Sequence, residues 1–417
     1  MSPAPLAGPL DPDGSVLVVG AGLGGLRSAE SLRANGFRGA VTMLGDEPDA
    51  PYDRPPLTKQ LLAGTWDEAR IQLASPDLLA ENGIAVELGV AATSFDAATR
   101  TVQLDSGRSL RADAVVLATG ASPRWLPGTE GAPGVHVIRT IAQSVGLRDA
   151  LDALDGTGRV VVIGAGFIGS EVASTAAAKG FAVTMLEALE VPLGPVVGEQ
   201  VGGWLTELHR RAGIEVRAGV TVAQVLARTS TSGPAVVLAS GERLDADVIV
   251  IGIGVRPATE WLAGSGLRLS DGVLTDEALF AADAVVAVGD LARFRWHHAI
   301  GTDEVRIEHW EVTAQLAAHA AVSLLAGRGA APAVSLVPYF WSDQHGRKIQ
   351  MLGRPAPSDE VLCVAGSVDE AKFTVVYHRD GRVSGVLGVA SPRNVMLVRP
   401  CVATGAPIAD AASLFDA

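Results

Sequence analysis

The sequence predicts an α/β fold in which two Rossmann-like β-α-β domains are followed by a C-terminal α+β domain. An apolar strand that runs into a glycine cluster and then a helix occurs twice, as "VLVVGAGLGGLRSA" at 16–29 and "VVIGAGFIGSEVA" at 161–173. Residues 329–417 lose this rhythm and show hairpin patterns, such as the Asp380-Gly381 turn signal. A length of 417 residues also favours about three domains.

The first copy predicts a strand, a helix and a second strand. "VLVV" is followed by a helix near Gly24 to Asn35 and by the strand "AVTML" at 40–44. Prolines in the loop "GDEPDAPYDRPPLTKQ" forbid regular structure there. A hairpin then turns at Ser106-Gly107, and a buried strand ends at Thr119-Gly120.

The second copy repeats this order from Arg159 onwards. "RVVVIGAG", a helix near Ile168 to Lys179 and the strand "FAVTMLE" come first. A helix near Val197 to Ala212 and a second hairpin follow. Beyond them we predict a strand that ends at Gly289-Asp290 and an apolar helix that ends near residue 327.

Composition excludes several classes of function. A net charge of −13 argues against general nucleic-acid binding, which needs a basic face. Every apolar run is shorter than the roughly 18 residues of a membrane helix, so we expect no membrane span. "MSPAPLAGPLDPDGS" lacks the basic start and apolar centre of a signal peptide, so we expect a disordered leader and a cytoplasmic protein. Cys363 and Cys401 show no metal-ligand spacing, so we expect buried, inert thiols and no metal.

Both glycine clusters match the G-x-G-x-x-G pattern of dinucleotide-binding turns. The glycines permit a tight turn, close approach of a pyrophosphate, and close packing of helix on strand. An acid stands about 20 residues after each cluster, where it can bind a ribose hydroxyl. The candidate residues are Gly20, Ala21, Gly22, Leu23, Gly24, Gly25 and Asp46 in the first copy, and Gly164, Gly166, Phe167, Ile168, Gly169 and Glu187 in the second. No arginine near Glu187 could hold a 2′-phosphate, so we predict NADH rather than NADPH there.

A chain with a nicotinamide site and another dinucleotide site suggests FAD at the other. Arg54 and Lys59 could grip FAD, and Asp290 could accept from the ribityl hydroxyls. A helix that begins near Trp310 would direct its positive end at the flavin pyrimidine. Each feature taken singly is also typical of a solvated surface or an ordinary turn. The predicted domains are FAD-binding at 1–124 and 256–328, NAD-binding at 125–255 and C-terminal at 329–417.

The chain resembles the NADH-dependent ferredoxin reductases that serve bacterial haem-thiolate monooxygenases and Rieske-type oxygenases, within the flavoproteins of the glutathione reductase fold. The motifs "PYDRPPLTK", "LATGASPRWLPG", "GAGFIGSEVA", "RIEHWEVTAQ" and "YFWSDQHGRKIQMLG" carry this resemblance. It implies FAD contacts at the first glycine cluster, Asp46, Arg54, Lys59, Ala92, Arg139, Asp290 and Trp310. It implies NADH contacts at the second cluster, Glu187 and Gly252. Thr58 stands where serine is usual, and "EALEVPLG" lacks an arginine that often follows the acid.

The resemblance implies an FAD-dependent NADH:ferredoxin oxidoreductase that passes single electrons to a [2Fe-2S]-type or related ferredoxin. It places Glu171 as the charge partner of a catalytic Lys59 at the flavin, although an acid in the first turn of a helix can also serve only the helix dipole. An acidic ferredoxin needs a local positive patch to dock on, and Arg293, Arg295 and Arg306 are the candidates. The alternative is that these arginines belong to an ordinary solvated loop. We expect a monomer.

Two other functions are compatible with the same motifs. The chain could be an NADH-dependent flavin reductase of a small acceptor such as monodehydroascorbate or oxygen. It could also be a redox-switched NADH-binding flavoprotein similar to apoptosis-inducing factor, although the long insertions and basic segments of that type are absent. Disulfide and coenzyme A disulfide chemistry are excluded, because residues 1–362 contain no cysteine.

Overall fold

A computed structural model describes residues 8–416, which divide into two units. The first unit comprises the chain up to Asp53, Gln72–Ser122 and Arg256–Pro338, and the second comprises Arg54–Ile71, Pro123–Val255 and the chain from Tyr339. The transitions after residues 122 and 255 lie close to the predicted boundaries. The assignment of separate FAD-binding, NAD-binding and C-terminal domains stays a prediction.

The strands are numbered in chain order. They are β1 (Ser15–Val19), β2 (Ala40–Gly45), β3 (Ile84–Leu88), β4 (Ala92–Asp96), β5 (Thr101–Leu104), β6 (Ser109–Arg111), β7 (Ala114–Leu117), β8 (Ala121–Pro123), β9 (Val135–His136), β10 (Arg159–Ile163), β11 (Ala182–Leu186), β12 (Glu215–Arg217), β13 (Val222–Leu226), β14 (Ala235–Leu238), β15 (Arg243–Asp245), β16 (Val248–Ile251), β17 (Val255–Pro257), β18 (Val273–Leu274), β19 (Phe280–Ala282), β20 (Val285–Ala287), β21 (Ala292–His298), β22 (Gly301–Val305), β23 (Tyr339–Gln344), β24 (Arg347–Gly353), β25 (Glu360–Ser367), β26 (Lys372–Arg379) and β27 (Arg382–Val389).

The helices are numbered in the same way. They are α1 (Leu23–Ala34), α2 (Glu68–Ile71), α3 (Pro76–Glu81), α4 (Ile141–Asp152), α5 (Phe167–Ala178), α6 (Gly194–Val197), α7 (Glu199–Arg211), α8 (Trp310–Ala326), α9 (Pro392–Thr404) and α10 (Ile408–Ser413). Short 3₁₀ turns occur at Pro55–Thr58, Glu260–Leu262 and Gly289–Leu291.

The first unit is built on a sheet with the strand order β19-β20-β7-β1-β2-β3. Its strands from β20 to β3 run parallel and are rich in buried valine and leucine, as expected of a sheet covered on both faces. Apolar residues of α1 and α8, including Leu26 and Leu316, cover one face. Phe95 and Val102 of the small antiparallel sheet β4-β5-β6 pack on the other.

The second unit contains a parallel sheet with the order β12-β11-β10-β16-β9. Helices α4 and α5 cover one face and the sheet β13-β14-β15 covers the other. An antiparallel sheet of order β23-β24-β27-β26-β25 follows, and Val201 and Leu205 of α7 pack with its buried Phe340 and Phe373. The predicted fold class, with a sheet-rich α+β C-terminal region, is confirmed.

Two expectations about irregular segments differ from the structure. The proline loop contains the 3₁₀ turn Pro55–Thr58, because proline in its first turn presets the backbone angle that a helical turn needs. Within the expected disordered leader, Leu10 is only 8% exposed and its N–H donates to Leu324 O at 3.1 Å. Residues 1–7 of that leader lie outside the described part of the chain.

The expectation of two buried thiols was wrong. Cys363 is exposed on β25, which is an edge strand of its sheet, and Cys401 is half-buried on α9. A strand at a sheet edge presents alternate side chains to solvent, which the apolar appearance of "EVLCVAG" conceals.

Between residues 8 and 416, no helix is both long and apolar enough to cross a membrane.

A buried histidine pair predicts how stability depends on pH. His345 Nε2 lies 2.8 Å from Nδ1 of His209, which is 4% exposed on α7. Burial, and then the neighbouring His345, lower the pKa of His209 to about 3. In the unfolded chain, His209 binds a proton at its ordinary pKa of 6.5, whereas in the folded chain it stays neutral down to about pH 3. The folded state is therefore progressively destabilised relative to the unfolded state as pH falls from 6.5 towards 3.

We expect the free energy of unfolding to fall by about 1.4 kcal/mol between pH 7.5 and pH 5.5 through His209 alone. Denaturant unfolding at the two pH values measures this difference. The variant His209→Gln should lose about this much of the dependence, whereas His136, His319 and His345, whose pKa values burial also lowers, keep their own contributions. An equally steep dependence in His209→Gln would show that another group is responsible.

Candidate active site

The first glycine cluster forms a tight turn between β1 and α1. Gly20 has φ +114°, and a Cβ there would overlap the carbonyl oxygen of Ala118. A Cβ at Gly25 would overlap the Gly20 oxygen, so both positions require glycine. Gly22 is the N-cap of α1 and no side chain caps this helix end. The backbone N–H groups of the first turn are therefore available to an anion such as a pyrophosphate.

The carboxyl ends of the parallel strands place other predicted residues at the same edge of the first sheet. Asp46 follows β2 directly and is exposed, and Asp290 lies in the 3₁₀ turn after β20. Because β1 lies between β2 and β7, the chain reverses its direction of winding at β1, where such sheets bind ligands. Ala92 begins β4, shortly after Val90 N donates to Gly45 O at 2.8 Å.

Helix α8 also begins at this edge. Cβ atoms at Gly24 and at Gly289 would lie 3.4 and 3.0 Å from Thr313 in the first turn of α8. The indole N–H of Trp310 donates to Asp53 Oδ1 at 2.6 Å. The helix N-terminus and the first glycine turn are thus held together, and the partial positive charges of two helices meet at one edge.

The second glycine cluster repeats the construction in the other unit. A Cβ at Gly164, where φ is +100°, would overlap the Gly252 oxygen, and one at Gly169 would overlap the Gly164 oxygen. The Gly252 N–H donates to Ile163 O at 2.7 Å. Gly166, by contrast, has φ −70°, and a Cβ there would meet no atom within 4 Å. Internal packing thus explains Gly164 and Gly169, whereas Gly166 leaves space for a ligand.

Glu187 is fixed against the second cluster. It follows β11, and its Oε2 accepts from the Ala165 N–H at 2.8 Å while Oε1 accepts from the Leu189 N–H at 3.0 Å. Each carboxylate oxygen retains a lone pair for a ribose hydroxyl. At the start of α5, Phe167 packs edge-on against Phe340 with ring centroids 4.6 Å apart, and Ile168 is 47% exposed.

Lys59 and Glu171 form a buried ion pair. Lys59 Nζ lies 2.6 Å from Glu171 Oε2, and the two side chains are 12% and 5% exposed. Thr58 Oγ1 donates to the same oxygen at 2.6 Å. The 3₁₀ turn Pro55–Thr58 presents Lys59, while Glu171 lies in the second turn of α5, directly after the glycine cluster.

Arg54 and Arg139 lie beside this turn. The Arg54 guanidinium donates to the Arg139 carbonyl oxygen, and the Arg139 N–H donates to Gln143 Oε1 at 2.8 Å. Gln143 and Thr140 form the capping box of α4, so the position of Arg139 is set by a helix terminus.

These residues fit the two dinucleotides that the sequence predicts. Both clusters contain positions that a Cβ would fill, an uncapped helix N-terminus and an acid after the next strand. A family model described as pyridine nucleotide-disulphide oxidoreductase matches residues 14–317, and one described as reductase C-terminal matches residues 339–417. The chain belongs to the pyridine nucleotide-disulphide oxidoreductase family. FAD is accordingly its redox cofactor and NADH its electron donor.

Relatives within this oxidoreductase family confirm the resemblance drawn from the motifs. Rhodocoxin reductase of Rhodococcus erythropolis is 34% identical over 94% of this chain and 90% of its own length. Putidaredoxin reductase of Pseudomonas putida is 35% identical over 91% of this chain and 89% of its own. A crystal structure of the covalent putidaredoxin reductase–putidaredoxin complex matches with a TM-score of 0.86 at 32% identity, covering 94% of this chain and 93% of that one.

Sequence reasoning missed three contacts of this oxidoreductase. Thr58, the Ser342 hydroxyl and the Asp343 N–H all donate to Glu171. The signal was the motif "YFWSDQ", which carries polar residues on both faces of a strand without an evident reason. The roles of the predicted site residues stay predictions.

The expected positive patch is largely neutralised. Arg293 lies 2.8 Å from Glu304, and Arg306, whose side chain is 10% exposed, pairs with Asp271 and Glu308. The hairpin β21–β22 brings the acids of "GTDEV" alongside "RFRWHH", a pairing that the basic stretch alone does not reveal. Of the three candidate arginines, Arg295 is exposed, whereas Arg293 and Arg306 are half-buried.

Proposed function

We propose that this chain is the NADH:ferredoxin oxidoreductase of an oxygenase system, which takes hydride from NADH onto FAD and delivers single electrons to an iron–sulfur ferredoxin. Its relatives include ferredoxin reductase components of benzene and biphenyl dioxygenase systems. The observation that carries the proposal is the combination of two glycine clusters with a buried Lys59–Glu171 pair and no redox cysteine pair. Bound FAD supplies the conversion of a two-electron donor into one-electron steps.

The residues of the chain bind the two dinucleotides and place a positive charge near the flavin. The first cluster, Asp46, Arg54, Arg139, Asp290 and Trp310 hold FAD, and the second cluster, Glu187 and Gly252 hold NADH. Lys59 supplies a fixed positive charge that favours reduction, because preorganised charge costs no reorganisation during reaction. Glu171 keeps that charge in place within a buried environment.

The test is anaerobic reconstitution of the FAD-loaded protein with NADH, a [2Fe-2S] ferredoxin and cytochrome c. We expect cytochrome c reduction that depends on the ferredoxin, and slow NADH oxidation in air without it. Rapid NADH oxidation in air that ferredoxin does not increase would instead support the small-acceptor reductase.

We predict that Glu187 selects NADH. Its carboxylate, anchored by the Ala165 and Leu189 N–H groups, binds the ribose 2′-hydroxyl and repels a 2′-phosphate. Glu187→Ala should reduce the NADH:NADPH ratio of kcat/KM by about tenfold or more, since one hydrogen bond and one repulsion are lost. Steady-state kinetics with both nucleotides measures this ratio. The neighbouring exposed Glu190→Ala is the control for charge loss alone, and an unchanged ratio in Glu187→Ala would refute the role.

We propose that Arg295 is the centre of the ferredoxin docking surface, with Arg293 and Arg306 in support. Arg295→Glu should raise KM for the ferredoxin several-fold, and more steeply at low salt, because exposed charges guide association. The NADH–ferricyanide activity should not change. Arg256→Glu, at an exposed arginine of the same unit, is the control. Equal effects of both variants would point to net charge rather than to a docking surface.

The cytoplasmic location and the monomeric state stay predictions.

A further inference from the structure

Glu171 is held from two sides. Its Oε2 accepts from Lys59 and Thr58, whereas its Oε1 accepts from the Ser342 hydroxyl at 2.7 Å and from the Asp343 N–H at 3.2 Å. Ser342 and Asp343 belong to β23 of the C-terminal sheet. The carboxylate that partners Lys59 is thus shared between the proline loop and this distant part of the sequence.

Ser342 is oriented in turn by Gln344. The Gln344 amide donates to Ser342 Oγ at 3.0 Å, which directs the serine hydrogen towards Glu171. Ser342 is 0% exposed and Gln344 is 1% exposed. A hydroxyl that accepts one bond and donates another has its rotation fixed, so the chain of bonds runs in one direction from Gln344 to Glu171.

The strand restricts this chain of bonds further. Period-two alternation in β23 places Phe340, Ser342 and Gln344 on one buried face. Phe340 is anchored in the apolar cluster with α7, and the His345 N–H that follows donates to Ser174 Oγ of α5 at 2.7 Å. Ser342 therefore cannot follow Glu171 if the carboxylate rotates.

We propose that Ser342, oriented by Gln344, is a positioning residue that fixes the Glu171 carboxylate and, through it, the charge of Lys59 towards bound FAD. This inference rests on the proposed function of Lys59. Without the Ser342 hydroxyl, Oε1 retains, among residues 8–416, only the longer bond from Asp343, so the carboxylate can tilt and Lys59 Nζ moves with it.

The experiment compares Ser342→Ala, Ser342→Thr and Ser323→Ala in the FAD-loaded protein. Ser323 is a matched control, since it is also 0% exposed and its hydroxyl has no hydrogen-bond partner among the described residues. Stopped-flow absorbance measures FAD reduction by NADH, and equilibrium titration with a reference dye measures the FAD reduction potential. Thermal unfolding verifies that each variant is folded.

We expect Ser342→Ala to slow FAD reduction by about tenfold or more, the effect of a hydrogen bond to a charged group. The FAD potential should become more negative while KM for NADH stays unchanged. Ser342→Thr, which keeps the hydroxyl, should recover most of the rate, and Ser323→Ala should behave as the parent protein. In a Lys59→Met background, Ser342→Ala should have no further effect on rate or potential, because its action requires the lysine.

An unchanged potential and rate in Ser342→Ala would overturn the inference, as would an undiminished effect in the Lys59→Met background. The proposed function fails differently. If Lys59→Met itself leaves FAD reduction unchanged, the role of the lysine is wrong. If Lys59→Met slows reduction and Ser342→Ala does not, only the positioning role is wrong.

Discussion

Lys59→Met is expected to slow the reduction of FAD by NADH by about 10²-fold, which is the usual cost of removing one preorganised charge or donor from an active site. Methionine is one atom shorter than lysine and removes the ammonium group, with its charge and its hydrogen bonds to Thr58 and Glu171. The partner Glu171, 4% exposed, keeps Thr58, Ser342 and the Asp343 N–H as donors but loses its cation. Anaerobic stopped-flow measurement with saturating NADH gives the rate directly.

The same substitution should also reduce stability. Removing one member of a buried ion pair costs about 3–5 kcal/mol, since a charge remains without its partner. Lys59→Met/Glu171→Gln removes both charges, so it should recover much of the stability without recovering the rate. Denaturant unfolding of the single and double variants separates the two effects. A normal rate of FAD reduction in a folded Lys59→Met protein would contradict the assignment of Lys59.

Gly166→Ala is expected to weaken NADH binding without loss of stability, whereas Gly169→Ala is expected to destabilise the fold. Gly166 has an ordinary extended backbone and open space at its Cβ position, so alanine should leave the thermal unfolding temperature unchanged. The added methyl group would occupy the space that we propose for the NADH pyrophosphate at the helix N-terminus, so the Kd for NADH should rise by about tenfold or more. Isothermal titration with NADH measures this change.

Gly169→Ala places a methyl group on the Gly164 carbonyl oxygen, a backbone atom that cannot move aside. We expect a loss of about 3 kcal/mol of stability, at the upper end for overpacked sites, before any effect on NADH is considered. Both variants add one methyl group three residues apart in the same turn. Similar stability losses in the two would show that Gly166 is structural, and normal NADH binding by Gly166→Ala would place the pyrophosphate elsewhere.

The sequence predicted most of the elements that carry the site because their signals are local. A strand, a glycine turn and a helix are specified by adjacent residues, and α1 and α5 begin within one residue of their predicted starts. The acids Asp46 and Glu187 follow their strands by a spacing that the fold itself imposes. For these residues, the spacing in the sequence largely determines the position in the structure.

The contacts that the sequence did not reveal join distant segments. Ser342 meets Glu171 across 171 positions, and Asp271 accepts from Arg306 across 35 positions. Residue type alone cannot predict which hydroxyl or carboxylate approaches a given side chain. The pairing of Lys59 with Glu171 was accessible only through family resemblance, because 112 positions separate the two.

The interleaved path of the chain has a consequence for synthesis and for truncation. Residues 54–71, which present Lys59, leave the ribosome early but belong with segments that begin at residue 123. The first sheet lacks β19, β20 and the helix α8 until the chain has passed residue 326. A protein cut after residue 255 would therefore lack both the 3₁₀ turn that contains Asp290 and the strand β23, whose Ser342 and Asp343 donate to Glu171. Unlike a chain of separable modules, this one completes neither unit until residues beyond 255 have been synthesised.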